Sequence, residues 1–209
     1  MSFRSICLAL ICSFLVAGTG RAQPPSEVIL VLGDSLSAGY GLSPEQGWVA
    51  LLRQRLRSAG YGHRVVNASS SGETTGGALA RLPRALDRHR PAVVVIELGG
   101  NDGLRGLPTE GIRGNLEAMI ESSLAAGARV LLVGMRIPPN YGSTYTEAFH
   151  ELYGQLAREH DLPLVPFLLD GIALDDSLMQ QDGFHPNAAA QPLMLEAVWK
   201  ELEPMLEAG

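Results

Sequence analysis

The sequence predicts a single domain of α/β/α architecture, a parallel sheet held between two layers of helices. Short apolar runs rich in β-branched residues recur along the chain, and stretches with apolar residues at helical spacing separate them. Strands buried on both faces read as continuous apolar runs, and strands that alternate with helices are joined by crossovers, which makes the sheet parallel. With 46% hydrophobic and 18% charged residues over 209 positions, the chain can bury one sizeable core. No repeat or linker divides it.

The first 22 residues stand apart from this pattern. Arg4 opens a short apolar run over 6–17, and Gly20 and Ala22 supply small residues at positions −3 and −1 of a cleavage site. This is the pattern of a secretory signal peptide cut after Ala22. The run falls short of the roughly 20 apolar residues that span a bilayer. Both cysteines, Cys7 and Cys12, lie within it, so the domain over 23–209 needs no disulfide. Arg4 and Arg21 leave with the peptide and no acid does, which moves the formal charge from −6 to −8. An exported, acidic, monomeric product is expected. A basic nucleic-acid face is not.

Five strands are expected, over 28–32, 64–67, 92–98, 129–135 and 162–165. After the first, Trp48, Leu51, Leu52 and Leu56 mark a helix that Gly60 or Gly62 can end. Arg81, Arg84, Arg88 and Arg90 read as the solvated face of another. Ile112, Leu116, Met119 and Ile120 mark a third, with Thr109 as N-cap and Gly127 as stop. Phe149, Leu152, Tyr153 and Leu156 mark a fourth. A last helix is expected from Pro186 to about Leu206, bent or shortened at Pro192 and Pro204.

In such sheets ligands bind beyond the carboxyl ends of the strands. Four polar segments fall there: Gly33-Asp34-Ser35-Leu36-Ser37, the 67–74 loop with Gly72 and Glu73, Gly99-Gly100-Asn101-Asp102, and Asp182-Gly183-Phe184-His185-Pro186. Their convergence is the signal, since Ser35 alone could be a turn serine and His185 a helix-start histidine. A serine hydroxyl becomes a nucleophile when a base takes its proton, and a carboxylate fixes the tautomer of a histidine base. Asp182 lies three residues before His185 in a turn-like segment, so it can bond that imidazole locally. Ser35 is then the nucleophile. The Ser35 and Gly72 backbone N–H groups and the Asn101 amide are candidate donors to the oxyanion. Asp34 and Asp102 are read as holding their loops by hydrogen bonds rather than reacting.

Together these four blocks resemble the SGNH (GDSL) hydrolases, most closely the exported multifunctional thioesterase/lysophospholipase/arylesterase branch. The stretches 32–40, 65–68, 79–83, 97–106 and 139–142 extend the likeness over essentially the whole of 23–209. The resemblance implies a flavodoxin-like sandwich with a five-stranded parallel sheet. It implies Ser35, Asp182 and His185 as the triad, and Ser35, Gly72 and Asn101 as the oxyanion hole. The implied substrates are aryl esters, acyl-CoA thioesters and lysophospholipids, with no cofactor. Leu104, Leu107, Ile137 and Pro138 would line the acyl groove. Two positions depart from close relatives, with Ser70 and Glu73 where Ile and Asp are usual.

Other chemistries fare less well. No serine lies in Gly-x-Ser-x-Gly, no Gly-x-Gly-x-x-Gly or Walker sequence is present, and Lys200 is the single lysine. His150-Glu151 opens a zinc motif whose second histidine is replaced by Gly154. His63, His89, His150 and His160 are read as solvated. Three alternatives remain: a metal-dependent phosphoesterase using Asp34, Asn101, Asp102, Asp182 and His185, a carbohydrate O-acetylesterase, and a non-catalytic lipid- or carbohydrate-binding protein.

Overall fold

A computed structural model describes residues 27–207. The expected signal peptide and its cleavage point lie outside them. Five strands form one sheet: β1 (Val28–Gly33), β2 (Arg64–Asn67), β3 (Val93–Glu97), β4 (Arg129–Val133) and β5 (Leu164–Val165). They pair in the order β2-β1-β3-β4-β5, every pair parallel. Every residue of β1 and β3 is buried, as strands covered on both faces must be.

Among the described residues seven α-helices surround the sheet: α1 (Ser35–Ala38), α2 (Trp48–Ser58), α3 (Thr75–His89), α4 (Gly100–Leu104), α5 (Thr109–Ala125), α6 (Ser143–Glu159) and α7 (Gln191–Glu207). The chain steps one way from β1 to β2, then the other way to β3, β4 and β5. Right-handed crossovers then put α2 on one face and α3, α5 and α6 on the other. The packing agrees, α2 lying against α7 and α5 between α3 and α6. The direction reverses between β1 and β3, so the loops leaving those two strands flank the crevice where this sheet order binds ligands.

Most expected elements hold within a residue or two, and four details change. Pro108, not Thr109, occupies the N-cap of α5, its ψ of 130° keeping it extended so that Thr109 is the first helical residue. The last helix starts at Gln191 rather than Pro186. Pro186 pairs with Met179 in an antiparallel bridge, and Asn187 is tied to Leu178, Ser177 and Met179, so the chain cannot coil there. Pro192 falls in the first turn of α7, where no intrahelical donor is needed. Among the histidines, His63 and His160 are mostly covered, facing Glu27 at 3.3 Å and Glu117 at 3.6 Å.

The end of β4 is closely packed. A Cβ at Gly134 would lie 3.0 Å from the Pro166 carbonyl carbon and closer still to its oxygen, both backbone atoms. Gly134→Ala should therefore cost about 1–3 kcal/mol by forcing β4 and the segment after β5 apart. Urea denaturation would measure this, and an unchanged midpoint would show that the segment yields freely.

Candidate active site

Ser35 is the first residue of α1, a single turn set directly on the end of β1. Asp34 caps that turn, its Oδ1 accepting the Leu36 N–H at 3.0 Å. Gly33 is required beneath it, since a Cβ there would meet Glu97 Oε2 at 2.7 Å and Ser37 Oγ at 2.8 Å. The second loop is laced to the first: Ser70 N–H donates to Gly33 O at 3.0 Å, and Asn67 Nδ2 donates to Ser37 O at 2.8 Å.

The 182–185 turn is organised by Asp182. Its Oδ1 accepts the Phe184 and His185 N–H groups at 2.9 and 3.0 Å, and its Oδ2 lies 2.7 Å from His185 Nδ1. These donors, the backbone N–H groups first, hold its carboxyl down to about 2, so it stays ionised at any working pH. With Nδ1 bonded to a carboxylate, the ring carries its proton there and turns a bare Nε2 outward. That Nε2 lies 2.9 Å from Ser35 Oγ, across 150 positions of sequence. The Tyr40 ring covers the imidazole, with centroids 4.5 Å apart.

Asn101 lies in α4, directly after β3, and its Nδ2 donates to Asp34 Oδ2 at 3.1 Å. One amide hydrogen is thus used and the other is left to point elsewhere. Among the described residues neither the Ser35 nor the Gly72 N–H has an acceptor. Gly72 has a φ of +78°, and Arg105 Nη2 holds its carbonyl at 3.2 Å. Unspent donors of this kind can receive an oxyanion without reorganisation when charge develops.

Asp102 joins the loops after β2 and β3. It accepts the Thr75 N–H at 2.9 Å and the Thr75 hydroxyl at 2.6 Å, so from α4 it takes up the first N–H of α3, while Thr74 is the N-cap. Glu73 folds back over the start of the same helix, where its Oε2 accepts from Arg81 Nε at 2.6 Å. Arg81 is therefore not merely a solvated face, unlike the exposed Arg84 and Arg88. Both oxygens of Asp34, of Asp102 and of Asp182 accept hydrogen bonds inside the protein. The one cluster of metal-ligating type among the described residues, Glu117, Glu159 and His160, lies elsewhere and is filled by Arg113.

Of the residues expected at an acyl groove, Leu104 and Leu107 are exposed, at 38% and 39%. Tyr141 and Tyr145 donate to their carbonyls at 2.8 and 2.6 Å. Ile137 is buried against Gly103, and Pro138 is exposed beside it. A shallow surface recess, too small to enclose a water molecule, lies against Ser35, Leu36, Tyr40, Leu42 and His185. A larger cleft of about 430 Å³, between α6 and β5, is lined by no serine or cysteine.

Glu97 is the residue that sequence reasoning missed. It is fully buried at the end of β3, with its Oε2 2.5 Å from Ser37 Oγ and 3.4 Å from Asp34 N. Burial, and then the charge of Asp34, hold its carboxyl well above the ordinary range. Burial likewise pushes Asp34 up to about 6, against its hydrogen bonds to Leu36 and Asn101. The available signal was an acid ending an otherwise wholly apolar strand.

A sheet of this order, with a serine and a histidine meeting at its switch point, places the protein among the serine hydrolases. More particularly, the chain belongs to the GDSL-like lipase/acylhydrolase family, whose sequence profile matches residues 31–192. It is 53% identical to the esterase TesA of Pseudomonas aeruginosa over 184 residues, covering 88% of this chain and 92% of that protein. It is 45% identical to the thioesterase 1/protease 1/lysophospholipase L1 of Escherichia coli K12 over 193 residues, 92% of this chain and 91% of that one. The crystal structure of the psychrotrophic esterase EstA from a Pseudoalteromonas species, inhibited by monoethylphosphonate, superposes with a TM-score of 0.83 at 42% identity, covering 87% of this chain and all of that one.

The buried acid gives a pH-dependent prediction. A carboxyl held high in the fold binds its proton more tightly there than in the unfolded chain. Its contribution to stability is full below the ordinary carboxylate range and is lost as pH rises through the folded value. Wild type should therefore lose stability relative to Glu97→Gln on going from about pH 5 to about pH 8, by at most about 1.4 kcal/mol per pH unit. Urea titrations at several pH values would show this, and a gap independent of pH would contradict it.

Proposed function

We propose that this protein hydrolyses carboxylic esters and thioesters through an acyl-serine intermediate. The observation that carries the reading is the chain of contacts Asp182 Oδ2–His185 Nδ1 at 2.7 Å and His185 Nε2–Ser35 Oγ at 2.9 Å. As Ser35 Oγ attacks the acyl carbon, its proton passes to His185 Nε2, and Asp182 stabilises the imidazolium. The carbonyl electron pair moves to oxygen, where the Ser35 and Gly72 N–H groups and Asn101 Nδ2 receive it. Collapse expels the alcohol or thiol, which takes the proton from Nε2. Water then attacks the acyl carbon as it gives a proton to Nε2, and collapse of the second tetrahedral intermediate breaks the Oγ–acyl bond, frees the acid and returns that proton from Nε2 to Oγ. No step calls for a metal or organic cofactor.

The exposed Leu104 and Leu107, with Pro138 and the Ile137 beneath, suit a fatty or aryl acyl group. Lysophospholipids and small esters are the substrates an exported enzyme would meet, and acyl-CoA serves as a thioester of the same class. We assign the protein to the space outside the cytoplasm as a monomer, on the strength of its first 22 residues and of the absence of an exposed apolar repeat. No helix among the described residues is long and apolar enough to cross a membrane.

Turnover of p-nitrophenyl esters from acetate to palmitate tests the reading. Activity that resists a chelator and is blocked by a serine-directed phosphonate is expected, and the chain-length profile separates fatty-acyl hydrolysis from deacetylation. Ser35→Ala and His185→Ala should each lower kcat by about 10⁴ or more. Asn101→Ala should lower it by about 10² to 10³. Near-normal turnover in Ser35→Ala, or absence of any phosphonate adduct on Ser35, would overturn the assignment.

A further inference from the structure

The turn that bears Asp182 and His185 is internally well bonded, yet residues 181–184 are all exposed. Something must fix it against the end of β1. The Ser35–His185 hydrogen bond cannot do so alone, because it is the bond along which the proton moves in each turnover.

Gln180 meets the requirement. Its backbone N–H donates to His185 O at 2.7 Å, and its carbonyl accepts the Gly183 N–H at 3.0 Å, so it closes the turn from both sides. The side-chain amide reaches out of the turn. Its Nε2 donates to Pro186 O at 3.0 Å and to Tyr40 O at 2.8 Å. Tyr40 follows α1 on the Ser35 side and its ring packs, tilted by 38°, against the His185 ring. A single NH₂ group thus joins the two halves of the site, one hydrogen to each. Space is made for it at Gly41, whose φ is +74° and where a Cβ would lie 2.9 Å from Gln180 Cδ and nearer still to Oε1.

We propose that Gln180 is a positioning residue that sets the distance between His185 Nε2 and Ser35 Oγ by pinning the Asp182–His185 turn to Tyr40. The proposal rests on the serine-hydrolase reading above. Gln180 touches no reacting atom. Its effect is therefore on the fraction of molecules in which the base is within reach of the hydroxyl, which lowers kcat and leaves substrate binding alone. Gln180→Met keeps the length and removes both donors. Gln180→Glu keeps the shape and turns a carboxylate toward two carbonyl oxygens. Gly41→Ala displaces the amide from the opposite side.

The test measures kcat and KM on a p-nitrophenyl ester, the second-order rate of phosphonate capture at Ser35, and the melting temperature. For Gln180→Met and Gln180→Glu a fall of about 10- to 100-fold in kcat is expected, with KM within about twofold. Phosphonate capture should slow in parallel, while the melting temperature stays well above that of the assay. Gly41→Ala should reproduce the kcat loss with Gln180 intact. Unchanged kcat and capture, or a loss confined to KM or accounted for by unfolding, would overturn the proposal. If Gln180→Met fails to fold, Gln180→Glu and Gly41→Ala decide it. Wild type captured by phosphonate, with all three variants captured as fast, would sink the positioning role alone. Wild type not captured at all would sink the hydrolase reading beneath it.

Discussion

The 2.9 Å contact between Ser35 Oγ and His185 Nε2 is the constraint on which the molecule turns, because it joins the end of the first strand to a loop 150 residues later. A hydroxyl and an imidazole react only within hydrogen-bond reach, so the intervening chain must deliver two distant segments to one point. A parallel sheet does this economically. Every strand runs the same way, every carboxyl end lies at one edge, and each crossover returns the chain to that edge. The reversal between β1 and β3 opens the crevice in which Ser35 and Asn101 face one another.

The polar residues around that contact divide into those that react and those that hold. Asp182 is exposed, hydrogen-bonded and driven down to about 2, which suits a permanent negative partner for an imidazole. Asp34 lies in the same site and is driven the opposite way by burial, to about 6. One carboxylate is kept charged by donors and the other is burdened by desolvation, and their positions explain the difference. Asp34 spends both oxygens on Leu36 and Asn101, so it shapes the turn and orients the Asn101 amide. Asp102 ties the start of α3 to α4 through Thr75. Glu97, beneath both, buries an acid where only Gly33 leaves room, and stability that falls with rising pH is the consequence.

Much of this was legible in the sequence, for a physical reason. Apolar runs and helical stripes are local signals of burial, and all five strands were found within two residues of their observed ends. The loops with Ser35, Gly72, Asn101 and His185 were legible because a carboxyl-edge rule says where to look. What could not be read was the long-range hydrogen bonding. Nothing local announces that Gln191 caps α2 through the Trp48 N–H at 3.0 Å, 143 positions away. Nor does anything announce that Asp102 accepts from Thr75 at the start of α3, or that Gln180 reaches Tyr40. The expected start of the last helix failed similarly, because Pro186 and Asn187 are held by partners at 177–179. Glu73 departs from the usual Asp, and its longer arm reaches back to Arg81 and braces the loop beside Gly72.

The central claim is that Ser35 and His185 act as one unit, and a double-mutant cycle on kcat tests it most directly. If they do, the combined Ser35→Ala/His185→Ala variant should be about as slow as the slower single variant, since removing either already disables the pair. Losses that multiply in the double variant would mean that the two residues act independently. The contact that orders the rest of the structure would then not be the one that does the chemistry.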